Sequence, residues 1–367
     1  MEENATEIPP DGGGAMTLPL IALMSFNLLI GITGIIGNAL LMVIVLSNAS
    51  MRTIPNALIC NMAFGDLFML FSSVIINTMV DLNGGNFTLG HTGCVFINFS
   101  HLMSMGVSIF TLVALSVDRY QAIVKPMERK ASRFRTAVTI VIIWMVSITA
   151  ASSMFFLTNL EQFGNNMAIC YHIEHNTTEA RVFESIRMLL MYVVPLLLLC
   201  VFYIRIAFIL YRSSKQMPGD GQVSRQVQDR KRLALIILVL VLLFAVLWLP
   251  YVVYSLKSEF ITEEEYEANS AAYEHLQMAA IILASLNSTI NPIALCLMSK
   301  NFRAYFLMYL SCNHFKHPPA NDYKATMKRE GTSVTKISSD ESTRRIKRCG
   351  EEYIQLKAHS PYKNNDC

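Results

Sequence analysis

Seven long runs poor in charge constrain this chain more than any other feature. They fall at roughly residues 18 to 46, 55 to 80, 94 to 117, 136 to 158, 185 to 211, 233 to 256 and 276 to 299. Each exceeds the roughly 20 residues with which a helix crosses the hydrocarbon core of a bilayer. A backbone in hydrocarbon must satisfy its own hydrogen bonds, so such segments are helices unless strands close into a barrel. Composition agrees: 53% of the 367 residues are hydrophobic and 16% are charged, against roughly 25% charged in a soluble domain. The expected fold class is all-α, a seven-transmembrane helix bundle, and an odd number of crossings puts the termini on opposite sides.

The loops set the orientation, since basic residues near span ends stay in the cytoplasm. Lys125, Arg129, Lys130, Arg133 and Arg135 stand against Glu128 between spans three and four. Arg212, Lys215, Arg225, Arg230, Lys231 and Arg232 stand against Asp220 and Asp229 between spans five and six. On the other side, the first seventeen residues hold Glu2, Glu3, Glu7 and Asp11 with no Lys or Arg, and Glu259, Glu263, Glu264, Glu265 and Glu267 crowd the third outer loop. The expected domains are an extracellular N-terminal tail over 1–17, the membrane domain over 18–312 and a cytoplasmic, disordered tail over 313–367. No basic segment precedes the first run, so span one is expected to serve as its own insertion signal.

Of the eight cysteines, Cys60, Cys200 and Cys296 fall in spans, and Cys312, Cys349 and Cys367 lie on the reducing side. Only Cys94 and Cys170 face an oxidising compartment, which leaves one connectivity, a bridge from the top of span three to the loop after span four. Asn4, Asn86 and Asn176 head N-glycosylation sequons in outer segments, while the sequon at Asn98 sits inside span three and is expected to be silent. Phe302 to Leu310 is a short amphipathic stretch after span seven, and Cys312 just past it is a palmitoylation candidate.

Polar residues inside the spans need an interior partner or a function, because an Asp at mid-helix costs roughly 2.5–3.5 kcal/mol on insertion scales. Asp66 in span two shares its membrane depth with Asn38, Ser108, Asn287 and Asn291. Two readings stand: a network that stitches helices together, or a hydrated site for a hard cation such as Na⁺. Asp118-Arg119-Tyr120 closes span three. Arg119 either snorkels to the interface or is held by the adjacent carboxylate until a partner or a proton releases it. Pro195, Pro250 and Pro292 are expected to kink spans five, six and seven, with Phe244 and Trp248 beside the span-six kink as packing or as a pivot.

These positions, in order and in the right spans, resemble the rhodopsin-like G-protein-coupled receptors over roughly residues 25 to 312. The likeness rests on Gly37-Asn38, Asn61 and Asp66, Cys94 with Asp118-Arg119-Tyr120, Trp144, Pro195 and Tyr203, then Phe244, Trp248, Leu249 and Pro250, and finally Asn287, Asn291 and Pro292. It implies Arg119 as a contact for a heterotrimeric G protein. It implies Asp66, Ser108, Asn287 and Asn291 as a sodium site, and Pro195, Ile109 and Phe244 as a packing switch.

Met105 to Leu112, Asp229 to Ala234 and Asn287 to Leu295 are similar to the bombesin and endothelin branch of peptide receptors. That likeness implies an extracellular peptide ligand and Gq signalling through phospholipase C, with Arg119, Tyr203 and Arg230, Lys231 and Arg232 at the cytoplasmic contact. Phe87 replaces a common Trp in the first outer loop, span four lacks its usual Pro, and Cys296 replaces a Tyr of the bombesin-like receptors. Ile281 and His101 stand where bombesin receptors place Arg and Gln, so the resemblance does not carry over bombesin itself as the agonist.

Other classes fit less well. Residues 273 to 299 contain no lysine for a retinal Schiff base, and the outer half of span three offers His101 where an amine receptor needs a carboxylate. A transporter would show repeats and broken helices at midplane. An enzyme would need a nucleophile with its base, or metal ligands at workable spacing. The remaining rival is a seven-helix receptor that binds its ligand without coupling.

No cofactor is expected beyond the sodium ion, and no nucleic acid. The expected setting is the plasma membrane, with lipids, arrestin and receptor kinases as further partners. Thr332, Ser333, Thr335, Ser338, Ser339, Ser342 and Thr343 offer hydroxyls to those kinases. His101, Arg187, Trp248, Tyr251 and Lys257 are the candidates for the ligand pocket, with Arg187 and Lys257 as its available cations. The acidic outer loops favour a neutral or positively charged ligand, and sulfation of Tyr266 would deepen their field. Such a ligand is expected to insert an amidated or weakly polar end toward His101, Arg187 and Trp248.

Overall fold

The computed structural model describes residues 18–83, 86–124, 132–163, 167–172, 177–214 and 221–311. The expected tails, the sequons at Asn4 and Asn176, and Cys312 lie outside the described residues, as do the side chains of Arg230 and Tyr266. Among the described residues all seven apolar runs are helical, and six of the helices are long and apolar enough to cross a membrane.

Span one is α1 (Leu18–Ser47). Span two is α2 (Ile54–Leu70), a π turn over Phe71–Ile76 and α3 (Asn77–Leu82). Span three is α4 (Gly90–Val124), and span four is α5 (Arg133–Ala151), followed by one helical turn, α6 (Met154–Leu157). Span five is α7 (Thr178–Met188), a second π turn over Leu189–Val193, and α8 (Val194–Ser214). Spans six and seven are α9 (Gly221–Phe260) and α10 (Glu263–Met298). The amphipathic stretch forms α11 (Lys300–Leu310), whose N-terminus is capped by Ser299 accepting from the Phe302 N–H.

The breaks have local causes. Pro195 is the second residue of α8 and has no N–H to give the preceding turn, and the wide π turn takes up the slack. Pro250 and Pro292 sit within α9 and α10. Asn269 leaves helical backbone at φ −129°, which separates the acidic first turns of α10 from the apolar remainder.

The loop after span four is a hairpin, β1 (Thr158–Phe163) antiparallel to β2 (Met167–His172), with Leu160 opposite Cys170. The all-α bundle therefore carries one strand pair at the end opposite Arg119. The two ends are called here the hairpin end and the Arg119 end.

α4 is the centre of the bundle. In its most apolar stretch 72% of residues are buried, against 22% in α5, whose outward face shows Met145, Val141 and Ile142. Small residues let its neighbours come close. A methyl group on Gly65 would meet Val107 at 2.7 Å, and one on Gly106 would meet Ser147 at 2.8 Å.

Candidate functional site

At the hairpin end, Cys94 and Cys170 are joined as a disulfide with their Cα atoms 5.6 Å apart. The bridge roots β2 on α4, and the first loop fastens the same strand again. The Phe87 N–H donates to the Ala168 carbonyl at 2.9 Å, and the Ala168 N–H donates to Asn86 Oδ1 at 3.0 Å. Phe87, the departure from the usual Trp, is buried with Ile76, Ile97 and the disulfide.

Beneath the hairpin lies a small cleft lined by Asn98, His101, Leu102, Met105, Met154, Arg187, Trp248 and Tyr251. Four of the five pocket candidates meet there. Lys257 does not: it is exposed. Trp248, Tyr251 and Ser255 share one helical stripe at spacings of three and four, and Lys257 falls off it.

Nor is Arg187 an available cation. Its guanidinium is paired with Glu184 one turn earlier on α7, donates to Ser255 Oγ at 2.8 Å and lies over the Tyr251 ring, 5.6 Å from its centroid. Glu184 is fully buried and also accepts from Ser255 Oγ at 3.3 Å. The spacing of three residues between Glu184 and Arg187 was the signal in the sequence that would have found this pair. The Trp248 Nε1–H, by contrast, is buried at the cleft without a hydrogen-bond partner among the described residues.

Near the middle of the bundle, Asp66 is fully buried. Ser108 Oγ donates to its Oδ1 at 3.2 Å, and Asn291 Nδ2 donates to its Oδ2 at 2.8 Å. The third partner is the Ser288 side chain, and its neighbour Asn287 is buried as well. Asn38 joins from α1 by donating to the Gly34 and Ser288 carbonyls at 2.9 and 3.0 Å, and its Oδ1 has no partner among the described residues. Asn61 ties three helices, accepting from Trp144 Nε1 at 2.7 Å and donating to Thr111 Oγ1 at 2.9 Å. Ile109 and Phe244 share the central core, and Pro195 is buried at the head of α8.

At the Arg119 end, Arg119 is paired with its neighbour Asp118, so the carboxylate holds it. Arg119 Nε is buried without a hydrogen-bond partner among the described residues. Tyr120 packs on Phe202 with ring centroids 5.7 Å apart, and Ser116 Oγ lies 3.5 Å from the Tyr203 hydroxyl. Arg232 does not stand free either, since its Nε and a terminal nitrogen donate to the Met298 carbonyl at 3.1 and 2.6 Å.

Set beside known proteins, this arrangement has a family. Residues 37–294 match the family described as 7 transmembrane receptor (rhodopsin family). The chain belongs to that family. It is 34% identical over 346 residues to the [Phe13]-bombesin receptor of Bombina orientalis, covering 88% of this chain and 84% of that receptor. It is 35% identical over 291 residues to bombesin receptor subtype-3 of Ovis aries, covering 76% of this chain and 72% of that one. The receptor is thus a multi-pass membrane protein and not an enzyme, and its likeness to the bombesin branch extends well beyond the family's shared motifs.

Proposed function

We propose that the receptor binds an extracellular peptide at its hairpin end and couples to a heterotrimeric G protein of the Gq class, feeding phospholipase C. The Arg119 end then faces the cytoplasm of the plasma membrane. The observation that carries this reading is the state of Arg119, whose guanidinium is held by one carboxylate and keeps an unused donor at Nε. A group held that way is available to an entering protein carbonyl once the pair opens. The relatives' names supply the peptide, and the partnerless Trp248 Nε1–H supplies a hydrogen-bond donor for a carbonyl on its inserted end.

A ligand shifts such an equilibrium only by binding its two states differently. Asp66, lined by Ser108, Asn291 and Ser288, offers oxygen ligands to a Na⁺ ion that would favour the resting state. The exposed acids Glu264 and Glu265 bias approach toward neutral or cationic peptides. Glycans at Asn4, Asn86 and Asn176, a lipid on Cys312, and phosphorylation of the tail by receptor kinases for arrestin complete the proposal.

The test is a panel of amidated peptides on cells that express the receptor, read as inositol phosphate and cyclic AMP. A peptide that binds should raise inositol phosphate. Arg119→Ala should abolish that rise while leaving peptide binding in place. A fall in cyclic AMP alone would overturn the Gq assignment, and binding with no second messenger would leave a receptor that does not couple.

A further inference from the structure

Spans five and six are fastened at three depths, all toward the hairpin end. Outermost, Arg181 Nε donates to the Glu259 carbonyl at 2.8 Å and its guanidinium lies over Phe260. Next comes the buried group of Glu184, Arg187 and Ser255. Deepest is Tyr192, whose hydroxyl donates to the Ala245 carbonyl at 2.6 Å. From Val194 to Leu210, no α8 side chain hydrogen-bonds α9 among the described residues. The Arg119 end of α9 is held instead to span seven, through Arg232 and the Met298 carbonyl.

The place of the deepest fastening matters. Pro250 has no N–H for the Val246 carbonyl, so the turn that holds Ala245 and Val246 is the weak point of α9. Tyr192 reaches that turn from within the π turn of span five, where it is buried. Its ring stacks on Phe244 with centroids 6.4 Å apart, and Phe244 in turn lies 5.9 Å from Trp248 at the cleft. From within the break in span five, one side chain therefore touches the weakened turn of span six and the Phe244 ring beside it.

We propose that the Tyr192 hydroxyl is the positioning group that sets the pivot of span six, and that its bond to the Ala245 carbonyl belongs to the resting arrangement and is lost when the Arg119 end of α9 swings away. A bond made in only one of two states weights the equilibrium toward that state by its whole net worth. The inference rests on membership of the receptor family and not on the Gq assignment.

Tyr192→Phe keeps the ring and its stacking and removes only the donor, so it separates the bond from the packing. Two readouts on the full chain test it without a ligand: basal second-messenger output in cells, and the distance between nitroxides at Arg135→Cys and Leu235→Cys with the other free cysteines replaced by alanine. Both labelling positions are exposed on the Arg119 side of α5 and α9. The expected result is a population with the longer distance enriched about fivefold in Tyr192→Phe, the shift that one hydrogen bond of ordinary net worth produces. Basal output should rise with it at unchanged surface expression. A longer distance without added output would uphold the pivot and refute coupling to the pathway measured. An unchanged distance distribution in Tyr192→Phe would overturn the proposal, and so would a shift that appears only in Tyr192→Leu, since stacking on Phe244 would then be the operative contact.

Discussion

Among the described residues, Asp66 and Glu184 are the carboxylates with no exposed surface, and their surroundings are opposites. Glu184 sits toward the hairpin end with a guanidinium one turn away and a serine from span six closing the group. Asp66 sits near the middle with partners that are all neutral: Ser108, Asn291 and Ser288. A buried charge is costly unless it is matched. At Glu184 the match is built into the same helix, so the pair is a fixed part of the architecture that fastens span five to span six. At Asp66 the described residues provide hydrogen bonds but no countercharge, the arrangement that the proposed sodium ion would complete. The first acid stabilises one structure, and the second can report on what surrounds it.

The contrast is most exposed at Glu184. Glu184→Gln leaves Arg187 buried without its partner and should cost roughly 3–5 kcal/mol. The measurement is the melting temperature of the detergent-solubilised receptor. Pairing the change with Arg187→Met removes both charges and should recover most of the loss. A double mutant no more stable than the single one would show that the pair is not what the group contributes.

Asp66→Asn orphans no cation, so its melting temperature should fall much less. Its effect should appear in linkage instead. In the wild type, Na⁺ should weaken agonist binding by a coupling on the order of 1–3 kcal/mol, and in Asp66→Asn that dependence should vanish. Sodium sensitivity that persists in the mutant would reduce Asp66 to the same structural role as Glu184. The smallest effect separates two adjacent residues. Ser288→Ala should weaken the sodium dependence by about 0.5–1.5 kcal/mol, the worth of one hydrogen bond, whereas Asn287→Ala should leave it nearly intact. The reverse order would return Asn287 to the site.

Which parts of this were legible beforehand follows from the physics of each signal. The seven crossings were readable because apolar runs of this length span hydrocarbon as helices, and α11 because its amphipathic pattern is strong. The disulfide followed from compartment alone. The π turn in span two was not readable, since Phe71–Ile76 contains neither Gly nor Pro. At that turn Ser72 Oγ donates back to the Phe68 and Met69 carbonyls, a local bond that sequence periodicity does not register. The hairpin was read as a loop because two six-residue strands of mixed polarity carry too little period. Arg187 lines the cleft, but as a paired side chain and not as a free cation. Its partner at Glu184 lies within one helical turn and was visible, whereas Ser255 came from another span and was not. Lys257 lies exposed and away from the cleft, because charge alone does not say which face of a helix looks inward.

The burial of α4 has a mechanical consequence. It touches α2, α5, α8 and α9 and has almost no free side, so any motion of α4 would have to be shared with every neighbour at once. A helix so enclosed behaves as an axle: the others can turn about it, and it supplies the fixed frame against which their travel is measured. Asp118 and Arg119 are mounted on the end of that axle and Cys94 on its head. If Arg119 is the contact proposed above, any displacement met there would be made by the surrounding helices around a residue mounted on the most enclosed one.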